Sequence, residues 1–284
     1  MDRQAARALL KGAYDLHVHT APSHFDRSLD DFDLLQGLEA YGMDGALIKS
    51  HYEPTQARAS LANSHNSTRA KLFGGIALNH PVGGLNPYAA ESCLKMGGRI
   101  VWLPTRDAAH SLCFGNMPGD FFERPGLTVL EDGGALKRVV YEILEVVRRY
   151  GAYVATGHLS LPESRAVCKA CAEMRVHCIL THPDWNRTKI NLQEQLDFAR
   201  AGVMIEKVWA NIADGDIDAE ALCHSVRVLG SENIFMTTDR GQAGMESPME
   251  GLLRFIECML DYGISHCEIE RMVLDNPRRI VQQR

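Results

Sequence analysis

The sequence lacks most of the features that would send it toward other classes of protein. No segment is long and apolar enough to cross a bilayer. The opening "MDRQAARALLKGAYDLH" sets two arginines and a lysine among short apolar pieces, without the continuous apolar core of a secretory signal. No basic patch of nucleic-acid type stands out, and a formal net charge of -6 weighs against a polyanionic partner. The 8 cysteines are scattered through 284 residues and make no disulfide framework. Cys168 and Cys171 form one "CKAC", but the second pair that a zinc ribbon needs is missing. Their setting, "LPESRAVCKACAEMR", reads as a helix with buried thiols. There is no internal repeat and no low-complexity tract. These absences leave a cytoplasmic protein that acts on a small molecule, with neither nucleic acid nor membrane as partner. Homo-oligomers are compatible with that reading.

What is present alternates. Short β-branched or apolar runs at 13–18, 45–50, 72–78, 99–104, 152–157, 177–181, 203–208 and 234–239 read as strands. Stretches of helical period separate them, at 30–41, 54–66, 86–97, 133–150, 161–175, 191–201, 217–229 and 247–262. Prolines near the first turns at "LPES" and "SPMEGLL" mark two of the helix starts. Repeated strand–helix units of this kind predict a (β/α)8 TIM-type barrel, with residues 1–284 as a single domain. A doubly wound sheet would want a glycine-rich turn after its first strand. Here that strand leads into "HVHTAPSHFDRS", which has none. The tail at 264–284 reads as two short helices, the second starting at "NPRRI". The connection 105–132, "TRDAAHSLCFGNMPGDFFERPGLTVLED", is long enough to be a lid or binding loop.

The strand ends carry the chemistry, and a barrel gathers them at one face. The first run ends in His17 and His19, the second in Lys49 and His51, the third in Asn79 and His80. The fifth ends in His158, the sixth in His182 and the eighth in Asp239, while Glu206 lies within the seventh. Side chains at i and i+2 of a strand share a face. His17 and His19 therefore point one way, and two inward imidazoles are poor hydrocarbon filler but good metal ligands. Asp15 has the same parity, which would let it support a ligand histidine. His24, His65, His177, His224 and His266 read as surface or hydrogen-bonded residues, and His80 as a loop residue.

Taken together, "DLHVHT", "LIKSHYEPT", "VGGLNP", "ATGHLS" and "TDRGQ" resemble a branch of the amidohydrolase superfamily, the metal-dependent hydrolases built on a distorted (β/α)8 barrel. The resemblance runs the length of the chain. It implies that His17, His19, His158, His182 and Asp239 hold a divalent transition ion, with Asp239 and His182 catalytic. Many members with two ions bridge them through a carboxylated lysine or a glutamate after the fourth strand. Here that end reads "VWLPT". Lys49, if carboxylated, would serve as the bridge instead, and His51 would bind a second ion directly. One or two ions per chain are therefore expected, zinc by preference, with manganese or iron as alternatives. Asn79, Trp102, Arg106, Asp107, His110, Glu206 and Arg240 are candidates for the substrate wall. The activity implied is water-driven cleavage of an amide, lactone or related carbonyl ester. The alternatives are decarboxylation of an unsaturated or aromatic acid (with Arg106, Arg187 or Arg240 at its carboxylate), a phosphoesterase, and a barrel that has lost catalysis.

Overall fold

Strong capping signals place the helices. The Asp30 carboxylate accepts N–H bonds from Phe32 and Asp33, and Asn86 does the same just ahead of Pro87. Glu163 reaches back to the Ser160 N–H at 3.0 Å, and Ser247 caps the helix that opens at Pro248.

A computed structural model describes residues 3–282; the outermost residues of the expected 1–284 unit and of the 264–284 tail lie outside that range. The chain runs α1 (Arg3–Leu10), β1 (Tyr14–Val18), α2 (Asp31–Tyr41), β2 (Gly45–Ile48), α3 (Gln56–Ser64), β3 (Lys71–Ala77), α4 (Pro87–Lys95) and β4 (Ile100–Trp102). It continues through α5 (Ala109–Leu112), α6 (Arg138–Arg149), β5 (Tyr153–Ala155), α7 (Leu161–Met174), β6 (His177–Leu180), α8 (Leu192–Arg200) and β7 (Met204–Val208). The last elements are α9 (Trp209–Ala213), α10 (Ala219–Leu229), β8 (Ile234–Thr237), α11 (Pro248–Asp261), α12 (His266–Glu270) and α13 (Asn276–Gln282). A π-helical turn, Arg271–Asp275, joins the final two helices.

The strands lie parallel in sequential order from β1 to β8. β8 returns to β1 through a Val18–Arg240 bridge. At this seam the Asp239 N–H donates to the His17 carbonyl at 2.9 Å and the His19 N–H to that of Arg240 at 2.8 Å. The fold is therefore a (β/α)8 barrel whose closure sets Asp239 against both histidines of β1. Gly241 makes this approach possible. Its φ is +127°, and a Cβ there would lie 1.7 Å from the His19 carbonyl oxygen.

Two apolar layers surround the sheet. The outer one lies between strands and helices. The inner one fills the lumen with Tyr14, Leu16, Leu47, Trp102, Phe235 and their neighbours, each large side chain contributing about 1.5–3 kcal/mol by burial. Ile280 and Val281 of α13 join the lumen layer. Asn276 fixes that helix by donating to the carbonyls of Ser231 (2.9 Å) and Ile234 (2.6 Å) at the start of β8. Hydrocarbon thus closes the strand-start end and leaves the opposite mouth for polar groups.

Two expectations shift. Residues 3–10 form a helix that the sequence reading passes over, with Ala6 and Leu10 buried. The helix expected from 133 begins only at Arg138. Before it, the Glu131 N–H bonds to Ala135 O and the Lys137 N–H to Val129 O, which holds the segment as a turn. The long loop 105–132 is pinned by buried ions: Arg106 to Asp120 at 3.1 Å, and Arg124 to both Asp120 and Asp107.

Candidate metal centre

The alternation of β1 breaks just before its histidines. Tyr14 and Leu16 belong to the lumen layer and Val18 to the outer one, and the register against β2 slips between Asp15 and Val18. The slip turns His17 and His19 toward the mouth of the barrel. Asp15, expected on their face, is not there. Its carboxylate accepts the His17 N–H (3.2 Å), the Thr238 N–H (3.2 Å) and the hydroxyls of Thr238 (2.5 Å) and Thr237. Asp15 thus stitches β1 to β8 rather than orienting an imidazole. Burial pushes its pKa up to about 6 against the pull of those hydroxyls.

One ring nitrogen from each of His17 and His19 and one oxygen of Asp239 lie within 4.8 Å of one another, the only such metal-competent group among the described residues. Asp239 Oδ1 is 2.9 Å from His19 Nε2 and 3.2 Å from His17 Nε2. Lys49 Nζ is 3.0 Å from that same His17 nitrogen. On the other side of the ring, His17 Nδ1 donates to Glu206 Oε1 at 2.9 Å. A carboxylate at Nδ1 keeps the proton there and presents the Nε2 lone pair to the cluster, the arrangement of a metal-ligating histidine. His182 and His158 stand beside it, with ring centroids 4.9 Å apart and His182 5.9 Å from His17. His51 stacks on His19 at 5.1 Å and meets the Thr105 hydroxyl at 2.8 Å.

Two observations show that these residues fit a divalent transition ion. His19 Nδ1 and His182 Nδ1 are buried and have no hydrogen-bond partner. The donor set, imidazoles with one carboxylate, is of the kind such ions take. The protonation states agree. Burial lowers His17 to about 3 and His182 to about 4, and drives His19, His51 and His158 well below the ordinary imidazole value. All five are therefore neutral at pH 7. Burial alone would raise the Asp239 carboxyl, but His17, His19 and Lys49 outweigh it and hold the group well below the usual carboxylate range. Burial lowers Lys49 to about 8. His182 and Asp239 also carry positive φ, 25° and 54°. Such backbone costs roughly 1–3 kcal/mol per residue and gathers at functional sites. Glu206 holds the first by accepting the His182 N–H at 2.8 Å, and Gln242 the second by donating to the Asp239 carbonyl at 2.9 Å.

A cavity of about 60 Å³ opens over the cluster and is lined by His19, Lys49, His51, His158, His182 and Asp239. Of the residues expected at the substrate wall, Arg106 lines it too. The others lie elsewhere. Asn79 donates to the His51 carbonyl and the Thr105 hydroxyl. Trp102 fills the lumen, and Glu206 is buried beneath the histidines it holds. Asp107 pairs with Arg124, and His110 bonds to the Arg187 carbonyl. Arg240 turns outward to Asp214 and Glu246, and Arg187 reaches the Ser111 and Gly115 carbonyls. In their place the cavity has Arg27, Met117, Trp185 and Gln242. The last two follow site residues within "THPDW" and "TDRGQ", which was the available signal.

No curated protein matches the chain by sequence. Solved structures similar to it include an amidohydrolase from Pseudomonas aeruginosa, at 13% identity and a TM-score of 0.68, covering 100% of this chain and 99% of that one. The probable dipeptidase PvdM from Pseudomonas aeruginosa is similar at 13% identity and a TM-score of 0.69, over 99% and 98% of the two chains. A 2,6-dihydroxybenzoate decarboxylase from Rhizobium is similar at 12% identity and a TM-score of 0.56, over 96% and 99%. At such identities the likeness is one of fold: this chain has the same (β/α)8 barrel as these enzymes. The model of a family of unknown function, DUF6282, matches residues 12–206, which hold His17, His19, Lys49, His51, His158, His182 and Glu206. The match covers more than half of the sequence, and the chain belongs to that family.

Proposed function

We propose that the protein is a metal-dependent hydrolase that uses activated water to cleave an amide, lactone or related carbonyl ester of a small molecule. The observation that carries this reading is the convergence of His17, His19 and Asp239, with the Glu206 carboxylate 2.9 Å from His17 Nδ1 on the far side of the ring. His17, His19 and Asp239 would hold the ion, with His158 and His182 beside them. A divalent ion there supplies Lewis acidity and lowers the pKa of water toward ~7. The chain's own groups do the rest. Ionised Asp239 takes a proton from the attacking water and gives it to the leaving group. Neutral His182, with an open ring nitrogen, meets the charge that develops on the substrate oxygen. Lys49, lowered to about 8, reaches the free amine that carboxylation requires more readily than an ordinary lysine and so is the candidate bridge to a second ion, with His51 as its direct ligand. Met117 brings the long loop over the cavity. Zinc suits the nitrogen-rich set, and manganese or iron are the alternatives.

The test is metal analysis of the purified protein, with one or two transition ions per chain expected. Turnover is then measured on a panel of amides, lactones, carboxylic acids and p-nitrophenyl phosphates. His17→Ala with His19→Ala is expected to lose both ion and turnover, and unchanged turnover in that variant would refute the mechanism. Arg27 and Arg106 over the same cavity favour decarboxylation of a small unsaturated or aromatic acid as a second reading. Release of CO2 without uptake of water distinguishes it.

A further inference from the structure

The cavity has an end that the metal cluster does not use. Arg27 and Arg106 face it from two different loops, with Met117, Trp185 and Gln242 alongside. Both guanidinium groups lie over the ring of Phe25, at 4.1 Å and 5.0 Å from its centroid. Two cations are thereby held side by side in a half-enclosed place, where they repel each other. Arg106 is answered in part, by Asp120 at 3.1 Å and by the Pro118 carbonyl. Arg27 is not. Its Nε and Nη1 are buried without a hydrogen-bond partner, and no carboxylate pairs with it among the described residues. Arg106 Nε and Gln242 Oε1 are likewise buried and unpaired.

A buried donor left without a partner is costly, and a buried cation more so. The Phe25 ring and the charge of Asp239 offset part of that cost, and the two bare donors of Arg27 are left over. Burial and the charge of Arg106 lower its pKa to about 10, which still leaves it a cation at neutral pH. A divalent ion on His17, His19 and Asp239 would add charge of the same sign to the same cavity. What satisfies such a place is an anion that enters with the substrate.

We infer that Arg27 and Arg106 form an anion subsite that takes a carboxylate of the substrate, so that the substrate class is small carboxylic acids. This rests on the metal-hydrolase reading for the position of the reacting group, but the subsite itself needs no metal. Guanidinium forks take carboxylates and phosphates alike, so the choice between them falls to the cavity's walls. Met117 and Trp185 give the cavity apolar flanks, which suit the hydrocarbon body of a carboxylic acid better than a hydrated phosphate. The long loop also packs tightly beside the cavity. Gly119, with φ +86°, brings the long loop so near that a Cβ there would stand 2.6 Å from the Tyr52 hydroxyl and 2.7 Å from Phe25. The loop therefore presses on the very residue that seats both arginines.

The test measures binding of malonate, benzoate, inorganic phosphate and the neutral amides malonamide and benzamide, by calorimetry, to the zinc-loaded and the metal-free full-length protein. Carboxylates are expected to bind both forms, and to bind roughly tenfold or more tightly than the amides. Arg27→Met is expected to remove that preference without changing zinc content, since Arg27 has no ion pair to lose. Arg106→Met is expected to do the same, and Arg27→Met carries the test if loss of the Asp120 pairing unfolds the Arg106 variant. Carboxylates that bind no better than amides, or equally well to Arg27→Met, overturn the subsite, as does tighter binding of phosphate. The two readings fail separately. Zinc uptake without an Arg27-dependent carboxylate preference removes the subsite and leaves the hydrolase. An Arg27-dependent preference in a protein that takes up no transition ion supports the subsite and removes the hydrolase.

Discussion

Lys207 and Arg240 are buried cations, and so are the functional ends of Lys49 and Arg27, yet the two pairs live in opposite circumstances. Lys207 donates to Asp184 and to Gln195, each at 2.8 Å, and Arg240 to both oxygens of Asp214 and to Glu246. Every charge there is answered. Lys49 hydrogen-bonds the His17 nitrogen over the face of Trp102 and feels Asp239 and Glu206 without an ion pair to either, and Arg27 has two buried donors without a hydrogen-bond partner. The contrast is set by strand alternation. Glu206 and Lys207 are neighbours on β7, and Asp239 and Arg240 are neighbours just past β8, but in each pair one residue turns to the cavity and the other away from it. Saturated ions turned away from the cavity tie strand ends to helices and loops. Unsaturated ones at its mouth are what a ligand completes.

The hardest way to break this contrast is to remove the ligand set itself. His17→Ala with His19→Ala is expected to fold, to bring transition metal below one-tenth of an ion per chain by elemental analysis, and to bring turnover to background. Next in size is the comparison of the two lysines. Lys207→Met leaves Asp184 buried beside an apolar group and is expected to cost about 3–5 kcal/mol in denaturant unfolding. Lys49→Met breaks no ion pair and relieves the burial that lowers Lys49 to about 8. It is expected to leave metal-free stability unchanged or higher while activity falls. Equal losses of stability in the two variants would end the distinction between structural and functional cations.

The face on which each charge sits explains what was legible beforehand. His17, His19, Lys49, His51, His158, His182 and Asp239 stand at strand ends, and a closed barrel brings such ends to one mouth whatever the loops do. That inference needs only the order of the elements. Asp15 and Glu206 were harder, because the β1 register slip reverses the alternation from which Asp15 was placed. Glu206 was expected to touch substrate and instead supports the histidines from beneath. Arg240, a candidate for the pocket wall, stands one step along the chain from Asp239, and that step is also a change of face. Arg27 and Met117 were out of reach, since their placement depends on where two loops meet, and loop paths leave no period in a sequence. The helix at Arg3–Leu10 leaves only a faint signal, the i, i+4 spacing of Ala6 and Leu10 within a short stretch.

The buried imidazoles give the cavity a pH signature that the saturated ions lack. His17 and His182 fall from 6.5 to about 3 and about 4 on folding. Between 6.5 and those values the unfolded chain binds more protons than the folded one, so stability drops as pH falls. The stability is fully present above 6.5 and is lost on the way down through about 4 and about 3. Each of the two histidines is expected to contribute a slope of about 1.4 kcal/mol per pH unit within its window. Unfolding of metal-free protein measured at steps from pH 7 to pH 5 checks this. His17→Phe should make the slope shallower by the share of one histidine, the other buried imidazoles keeping theirs, and Arg240→Met should leave it as it is.

The smallest expected effect is also the most discriminating, because it alters one atom next to Lys207. Glu206 accepts from His17 Nδ1 through one oxygen and from the His182 N–H through the other. Glu206→Gln keeps one acceptor and turns the second into a donor. If the amide oxygen stays with His17, the new N–H groups face the His182 N–H and loosen a residue held at φ 25°. If it turns to His182, the amide donates to His17 Nδ1 and moves the ring proton to Nε2, where it blocks the lone pair meant for the ion. Either way metal affinity suffers while the core keeps its packing. A loss of about 10–100-fold in metal affinity is expected, with unfolding of the metal-free protein little changed. Titration with a competing chelator measures it. A variant that binds metal as the wild type does would mean that Glu206 is a structural ion like its neighbour, and that the two faces of β7 do not divide the labour as described.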